Sequence, residues 1–193
     1  MRFQVGEHDA LIVVDVQRDF CPGGALPVPE GEQVVPILNR YIERFKTASA
    51  KIYATRDWHP PNHRSFKAYG GIWPPHCIQA SKGAEFHSDL VLPRGSEIVS
   101  KATKPSIPGY SGFEKTILER DLKKDSVTRV FVGGLATDYC VRSTVLDALR
   151  LGFETVLLID ATRGVNVRPD DSDKAIGEMV GKGAKKAKLS DLY

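Results

Sequence analysis

A doubly wound (Rossmann-like) α/β fold, one parallel sheet with helices on both faces, is predicted by three observations. Apolar runs alternate with stretches of helical period along the chain. The first run, "ALIVVDV", does not alternate apolar with polar, so it reads as a strand buried on both faces. Chemically capable side chains recur where the runs end, which is where such sheets bind ligands.

Taken in order, "ALIVVDV" at 10–16 is the first strand, and "GEQVVPILNRYIERFKTAS" at 31–49 is a helix in which Pro36 is locally unfavourable. "KIYATRD" at 51–57 and "SEIVSKA" at 96–102 give the second and third strands. The helix "FEKTILERDLKKD" at 113–125 precedes a fourth strand, "VTRVFVGGL" at 127–135. A helix around Cys140, a strand "ETVLLID" at 154–160, a helix near 169–183 and a short sixth strand within 184–192 complete the pattern. Two long irregular pieces, 17–30 and 57–93, are rich in Pro, Gly, His and Trp. Loops of that length are functional or disordered, and their aromatic content argues against disorder.

The 193 residues suit one domain over 1–193 with a sizeable core. A net charge of +3, with the basic run "KGAKKAK" reading as a solvated face, gives no case for nucleic acid. No stretch approaches the roughly 20 apolar residues of a membrane span. "MRFQVGEHDA" lacks the apolar core of a signal peptide, so a cytoplasmic protein is expected. Cys21, Cys77 and Cys140 have neither an even count nor CxxC spacing, which disfavours a disulfide framework and a cysteine zinc cage.

In "GGLATDYCVRSTVLDAL", Thr137 reads as an N-cap, Asp138 as the first helical residue and Cys140 as part of the first turn. Unpaired N–H groups and the helix dipole favour an anion there, so the thiol is expected to ionise readily. The plainer reading is a small buried hydrophobe. Asp15, Asp57 and Lys101 end the first three strands. Singly, each carboxylate could cap a turn and the lysine could be solvated. Together at one sheet edge with Cys140 they suggest an acid, a base and a nucleophile.

A second group lies in "RDWHPPNHRSF" and "IWPPHCIQ". Asp57 and His59, two apart, point to one side of an extended segment, and His76 can close a facial set. Two histidines and a carboxylate suit a divalent ion such as Zn²⁺, Fe²⁺ or Mn²⁺, with His63 as a candidate fourth ligand. Against this stands ordinary polar surface, the common state of a loop histidine.

"DVQRDFCPGGAL", "TRDWHPPNHRSF", "WPPHCIQASKGAEFH", "KPSIPGYSGF" and "GGLATDYCVRSTVLDAL" together resemble the nicotinamidase (pyrazinamidase) branch of the isochorismatase-like cysteine hydrolases, in order and across nearly the whole chain. The resemblance implies a six-stranded parallel sheet of order 3-2-1-4-5-6 and hydrolysis of nicotinamide to nicotinate and ammonia in NAD salvage. It implies a triad of Asp15, Lys101 and Cys140, metal ligands Asp57, His59 and His76, and one divalent ion, zinc before iron or manganese. Phe20 and Trp73 match the aromatic walls of the pyridine site. A cis peptide is implied between Leu135 and Ala136, with the N–H groups of Ala136 and Cys140 forming an oxyanion hole. The substrate it implies is a small molecule, nicotinamide or also pyrazinamide; the oligomeric state, monomer or homo-oligomer, stays open. Two departures are mild: the family often has Lys-Gly where this chain has Lys101 and Ala102, and "QGT" where it has "QAS" at 79–81.

Three alternatives carry distinct signatures. A carbamoyl or ureido amidohydrolase would keep the triad but has no use for Asp57, His59 and His76. An enol ether hydrolase would not need Cys140. A non-catalytic metal- or partner-binding scaffold would have no reason to keep the triad intact.

Overall fold

The computed structural model describes residues 2–193. Six parallel strands form one sheet in the order β3-β2-β1-β4-β5-β6, with β1 at Asp9–Val14, β2 at Lys51–Asp57, β3 at Glu97–Lys101, β4 at Arg129–Leu135, β5 at Glu154–Arg163 and β6 at Lys185–Ala187. The helices are α1 at Val34–Thr47, α2 at Leu118–Lys124, α3 at Arg142–Arg150 and α4 at Asp171–Gly181.

β1 is buried along its whole length because helices cover both faces. Leu11 and Val13 pack with Leu38, Tyr41 and Phe45 of α1 in one core. Ala10, Ile12 and Val14 pack with Leu122 of α2, Val145 of α3 and Met179 of α4 in the other. The period of two along the strand therefore feeds two cores, which is why the run shows no polar alternation. α1 buries Val34, Val35, Leu38, Tyr41, Ile42 and Phe45, a stripe at helical spacing. Each such large apolar side chain contributes about 1.5–3 kcal/mol on burial.

Several boundaries differ from the sequence expectation. A 3₁₀ turn occupies Gly31–Gln33, so Pro36 lies in the first turn of α1, where its missing N–H costs nothing. α2 begins at Leu118, five residues later than its apolar pattern suggests. Thr116 donates its hydroxyl to Gly112 O at 2.5 Å and accepts from Leu118 N, and Phe113 N donates to Ser111 Oγ. These local side-chain bonds hold 111–117 as a turn instead of a helix. β5 runs three residues beyond "ETVLLID", because Thr162 and Arg163 pair with Gly134 and Leu135 past a register shift. At Gly134, with φ of +123°, an added Cβ would stand 2.1 Å from Val14 O, so only glycine allows β4 this close to β1.

The long segment after β2 is ordered by backbone pairing: His59 N donates to Cys77 O, Gln79 N to His59 O, and Trp73 N to Ser65 O. Among the described residues no helix is long and apolar enough to cross a membrane.

Candidate active site

Strand order and register bring the predicted residues to one edge. Asp57 is the register partner of Lys101, and Val14 is flanked by Thr55 and Gly134. Asp15 leaves β1 at φ of +48°, which turns the chain sharply at the strand end. Asp15, Asp57, Lys101 and Cys140 are all buried.

Lys101 Nζ stands at the centre. It donates to Asp57 Oδ1 at 2.5 Å and Gly109 O at 2.7 Å, and lies 3.4 Å from Cys140 Sγ and 2.8 Å from Asp15 Oδ2. The approach to Asp15 Oδ2 is an ion pair without hydrogen-bond alignment, so that oxygen remains without a hydrogen-bond partner; Oδ1 accepts from Thr55 Oγ1 at 2.7 Å. Burial works against the ammonium, but the carboxylates of Asp15 and Asp57 outweigh it and hold Lys101 well above the ordinary lysine value. Burial also raises the Asp15 carboxyl, opposed by Lys101 and assisted by Asp57. Asp57 goes the other way: burial would raise it, yet Lys101 and His59 hold it well below the usual carboxylate range.

Cys140 departs from the expectation of a ready thiolate. Burial pushes its thiol well up; Lys101 opposes this, while Asp15 and Asp57 add to it. The Asp15 carboxylate stands close by: ligand atoms of Asp15, Asp57 and Cys140 all lie within 4.8 Å of one another. The local backbone also differs. Thr137–Val141 is a π turn, Ala136 holds the N-cap position, and the Thr137 hydroxyl pairs with Thr162 Oγ1 at 2.8 Å instead of capping a helix. Ala136 O accepts from both Tyr139 N and Val141 N, and the peptide bond between Leu135 and Ala136 is cis.

Asp57, His59 and His76 each offer one ligand atom, all within 4.8 Å of one another. His76 Nδ1 lies 2.7 Å from Pro74 O, which makes it the donor and leaves Nε2 to ligate. Burial lowers the His76 pKa, keeping the imidazole neutral as a ligand must be. His59 is 2% exposed, and neither ring nitrogen has a hydrogen-bond partner. Its Nε2 lies 3.4 Å from Asp57 Oδ2, within ion-pair range but not bonded. A buried polar atom left unsatisfied costs about 1–3 kcal/mol, a cost that a cation on this trio removes. The trio fits a divalent ion.

His63 does not join it. Ser65 Oγ lies 2.7 Å from its Nδ1, which also accepts from Ser65 N, and Ile107 O lies 2.8 Å from its Nε2. Both nitrogens are spent, which corrects the expectation of a fourth ligand; His63 instead packs its ring 4.2 Å from that of His59.

A pocket joins the two groups. Asp57, His59 and His76 line one part and Cys140 and Ala136 another, with Phe20, Trp73, Leu135 and Val165 in the walls. Tyr110 and Tyr139 also line it. Neither was expected from the sequence. Trp73 Nε1 donates to Tyr110 Oη at 3.0 Å, and the Trp73 ring meets Tyr139 edge-on at 5.1 Å. Their signal was proximity: Tyr139 precedes the thiol, and Tyr110 follows the Gly109 carbonyl that binds Lys101.

Covalent catalysis requires a nucleophile beside a base, and the class that this fold and sheet edge define is that of hydrolases of doubly wound α/β fold with a thiol, a carboxylate and an ammonium side by side. The Isochorismatase domain family model matches residues 9–190, and the chain belongs to that family. It is 40% identical over 203 residues to the nicotinamidase of Escherichia coli (strain K12), covering 94% of this chain and 95% of that protein. The solved structure of Pyrococcus horikoshii pyrazinamidase in complex with zinc is 53% identical, with a TM-score of 0.90, over 94% of this chain and 99% of that one. L. infantum PnC1 in complex with nicotinate is 36% identical, with a TM-score of 0.93, over 100% of this chain and 99% of that one.

Proposed function

We propose that this chain is a nicotinamidase, hydrolysing nicotinamide to nicotinate and ammonia through a thioester on Cys140. The observation that carries this reading is the single pocket in which the thiol and the Asp57, His59 and His76 trio share one aromatic-walled space. A pyridine carboxamide has two functional ends, a ring nitrogen and an amide carbon, and this pocket has a partner for each.

Asp15 takes the proton of Cys140 as Sγ attacks the amide carbon, and the carbonyl electron pair moves onto oxygen. N–H groups of Ala136 and Cys140 hold that oxyanion. As the carbonyl reforms, the C–N bond breaks and Asp15 gives its proton to the nitrogen, which leaves as ammonia. Water then attacks the thioester, delivering a proton to Asp15. The C–S bond breaks, Cys140 regains its proton from Asp15, and the carboxylic acid so formed departs as nicotinate, its remaining proton passing to solvent. The raised Asp15 carboxyl suits a group that takes and returns a proton in every half-reaction. Lys101 remains an ammonium throughout, offsetting the negative charge that the sulfur and oxygen carry in turn.

Asp57, His59 and His76 would hold one divalent ion, zinc before iron or manganese, which when bound supplies a Lewis-acidic contact for the ring nitrogen. Phe20 and Trp73 flank the ring, and pyrazinamide, with a nitrogen at the same place, fits the same contacts. The activity belongs to one domain spanning the chain. Three free, buried cysteines suit a reducing cytoplasm. Ammonia release from nicotinamide by the zinc-loaded protein is the direct test; no release above the uncatalysed background would overturn the reading.

A further inference from the structure

Two side chains of the first loop grip the backbone of the trio from behind. Gln17 is fully buried, and its amide makes three bonds: Oε1 accepts from Asp57 N at 2.8 Å, and Nε2 donates to Asp57 O at 2.8 Å and to Ala84 O at 3.0 Å. The amide thus holds both polar groups of one peptide residue, as a neighbouring strand would. Two residues on, Asp19 Oδ2 accepts from Cys77 N, the residue after His76, at 2.7 Å, while Oδ1 accepts from Ala25 N at 3.1 Å. The Asp19 carboxylate lies against Gly83, where an added Cβ would stand 2.1 Å from Oδ2. Neither side chain lines the pocket.

The trio spans two segments, residues 57–59 and residue 76; β2 anchors the first, and a single bridge, His59 N to Cys77 O and Gln79 N to His59 O, ties the second to it. A cation site needs its ligands held against their own thermal motion, and three ligand atoms on two loops supply little rigidity themselves. We infer that Gln17 and Asp19 are positioning residues that fix the Asp57 and His76 segments to a common frame and so set the affinity of the trio for its ion. Asp57 also carries the bond to Lys101, so the same frame holds the ammonium against Asp15 and Cys140. This rests on the metal reading above and names the residues that make the site rigid.

The test is zinc affinity, measured by competition with a chromophoric chelator, together with thermal unfolding in excess chelator. Gln17→Ala, Asp19→Ala and Asp19→Asn are compared with the parent and with Leu122→Ala, a core change in α2 that leaves the site untouched. Outer partners of metal ligands commonly set affinity by a factor of about 10–100, so each alanine variant should bind zinc at least about tenfold more weakly. Asp19→Asn, which keeps an acceptor for Cys77 N–H, should recover much of that loss. Leu122→Ala should lose stability yet stay within about twofold of the parent in zinc affinity. Should Gln17→Ala fail to fold, Asp19→Ala decides alone. A folded Asp19→Ala protein with the parent's zinc affinity, or an equal loss in Leu122→Ala, would overturn the inference. A parent that binds no zinc would instead overturn the metal reading itself.

Discussion

Lys101 donates to Asp57 Oδ1 at 2.5 Å, so the carboxylate that completes the histidine trio is also the partner of the lysine beside the thiol. Asp57 turns one oxygen to each group. In metal-free protein, removing the ammonium leaves Asp15 and Asp57 buried near each other without a cation. Lys101→Met should therefore abolish turnover and lower stability by about 3–5 kcal/mol, the usual cost of breaking a buried pair. Urea unfolding checks this; an unchanged midpoint would show that the pair does not carry that energy.

Cys140→Ala should lose activity by several orders of magnitude while keeping zinc content and unfolding midpoint close to those of the parent. The side chain is small, and its removal opens little space. Residual activity above about a tenth would exclude the thioester route.

Benzamide keeps the carboxamide and nearly the shape of nicotinamide but lacks the ring nitrogen. Zinc-loaded protein should favour nicotinamide strongly in kcat/KM, since each 1.36 kcal/mol from the added contact is about tenfold. Chelation, or His76→Ala, should shrink that preference as well as the rate. The apolar walls treat both rings alike. Equal rates on the two amides would remove the ring-nitrogen contact and point to a carbamoyl or ureido substrate.

Nearer the start of β2, Tyr53 donates its hydroxyl to Asp125 Oδ2 at 2.6 Å. That bond, with help from Lys51, holds the Asp125 carboxyl below its ordinary range. A depressed carboxyl stabilises the fold above its unfolded value of about 3.9 and loses that contribution as pH falls. Tyr53→Phe should cost about 1.5–3 kcal/mol at pH 7, with the gap from the parent narrowing below about pH 4. Unfolding curves at both pH values decide it; a gap that widens in acid would contradict the assignment.

The two departures from the family pattern share one physical trait. Ala80 and Ala102 have φ of +63° and +53°, the region where glycine is at ease. Ala80→Gly should raise stability by about 0.5–1 kcal/mol, the left-handed cost for alanine less the greater chain freedom of glycine. A lower melting temperature would show that the loop prefers alanine.

Burial and periodicity made the strands and α1 legible, because β1 and α1 carry their packing in the spacing of apolar residues. The strand-end residues were legible too: a parallel sheet places the ends of neighbouring strands side by side. What escaped was set by partners distant in sequence. Thr137 looks like a cap until Thr162 takes its hydroxyl, and His63 looks like a ligand until Ser65 and Ile107 take its nitrogens. The surroundings of Cys140 are only half legible for a related reason. Helix position can be read from a sequence, but the depth of burial that raises the thiol cannot.

The π turn at Thr137–Val141 makes the site sensitive to chain length in a way that no substitution would reveal. A π turn accommodates one residue more than an α turn. Deleting a single residue between 137 and 139 would let the turn tighten to ordinary α geometry and would rotate the remaining side chains of the turn by about 100° about the helix axis. The six strands lie outside the turn, whereas Cys140 and Val141 belong to the core that Ala10, Ile12 and Val14 share with α2, α3 and α4. Tyr139, Cys140 and Val141 would move together, carrying the sulfur away from the lysine and the carboxylate and leaving the sheet with its thiol aimed elsewhere.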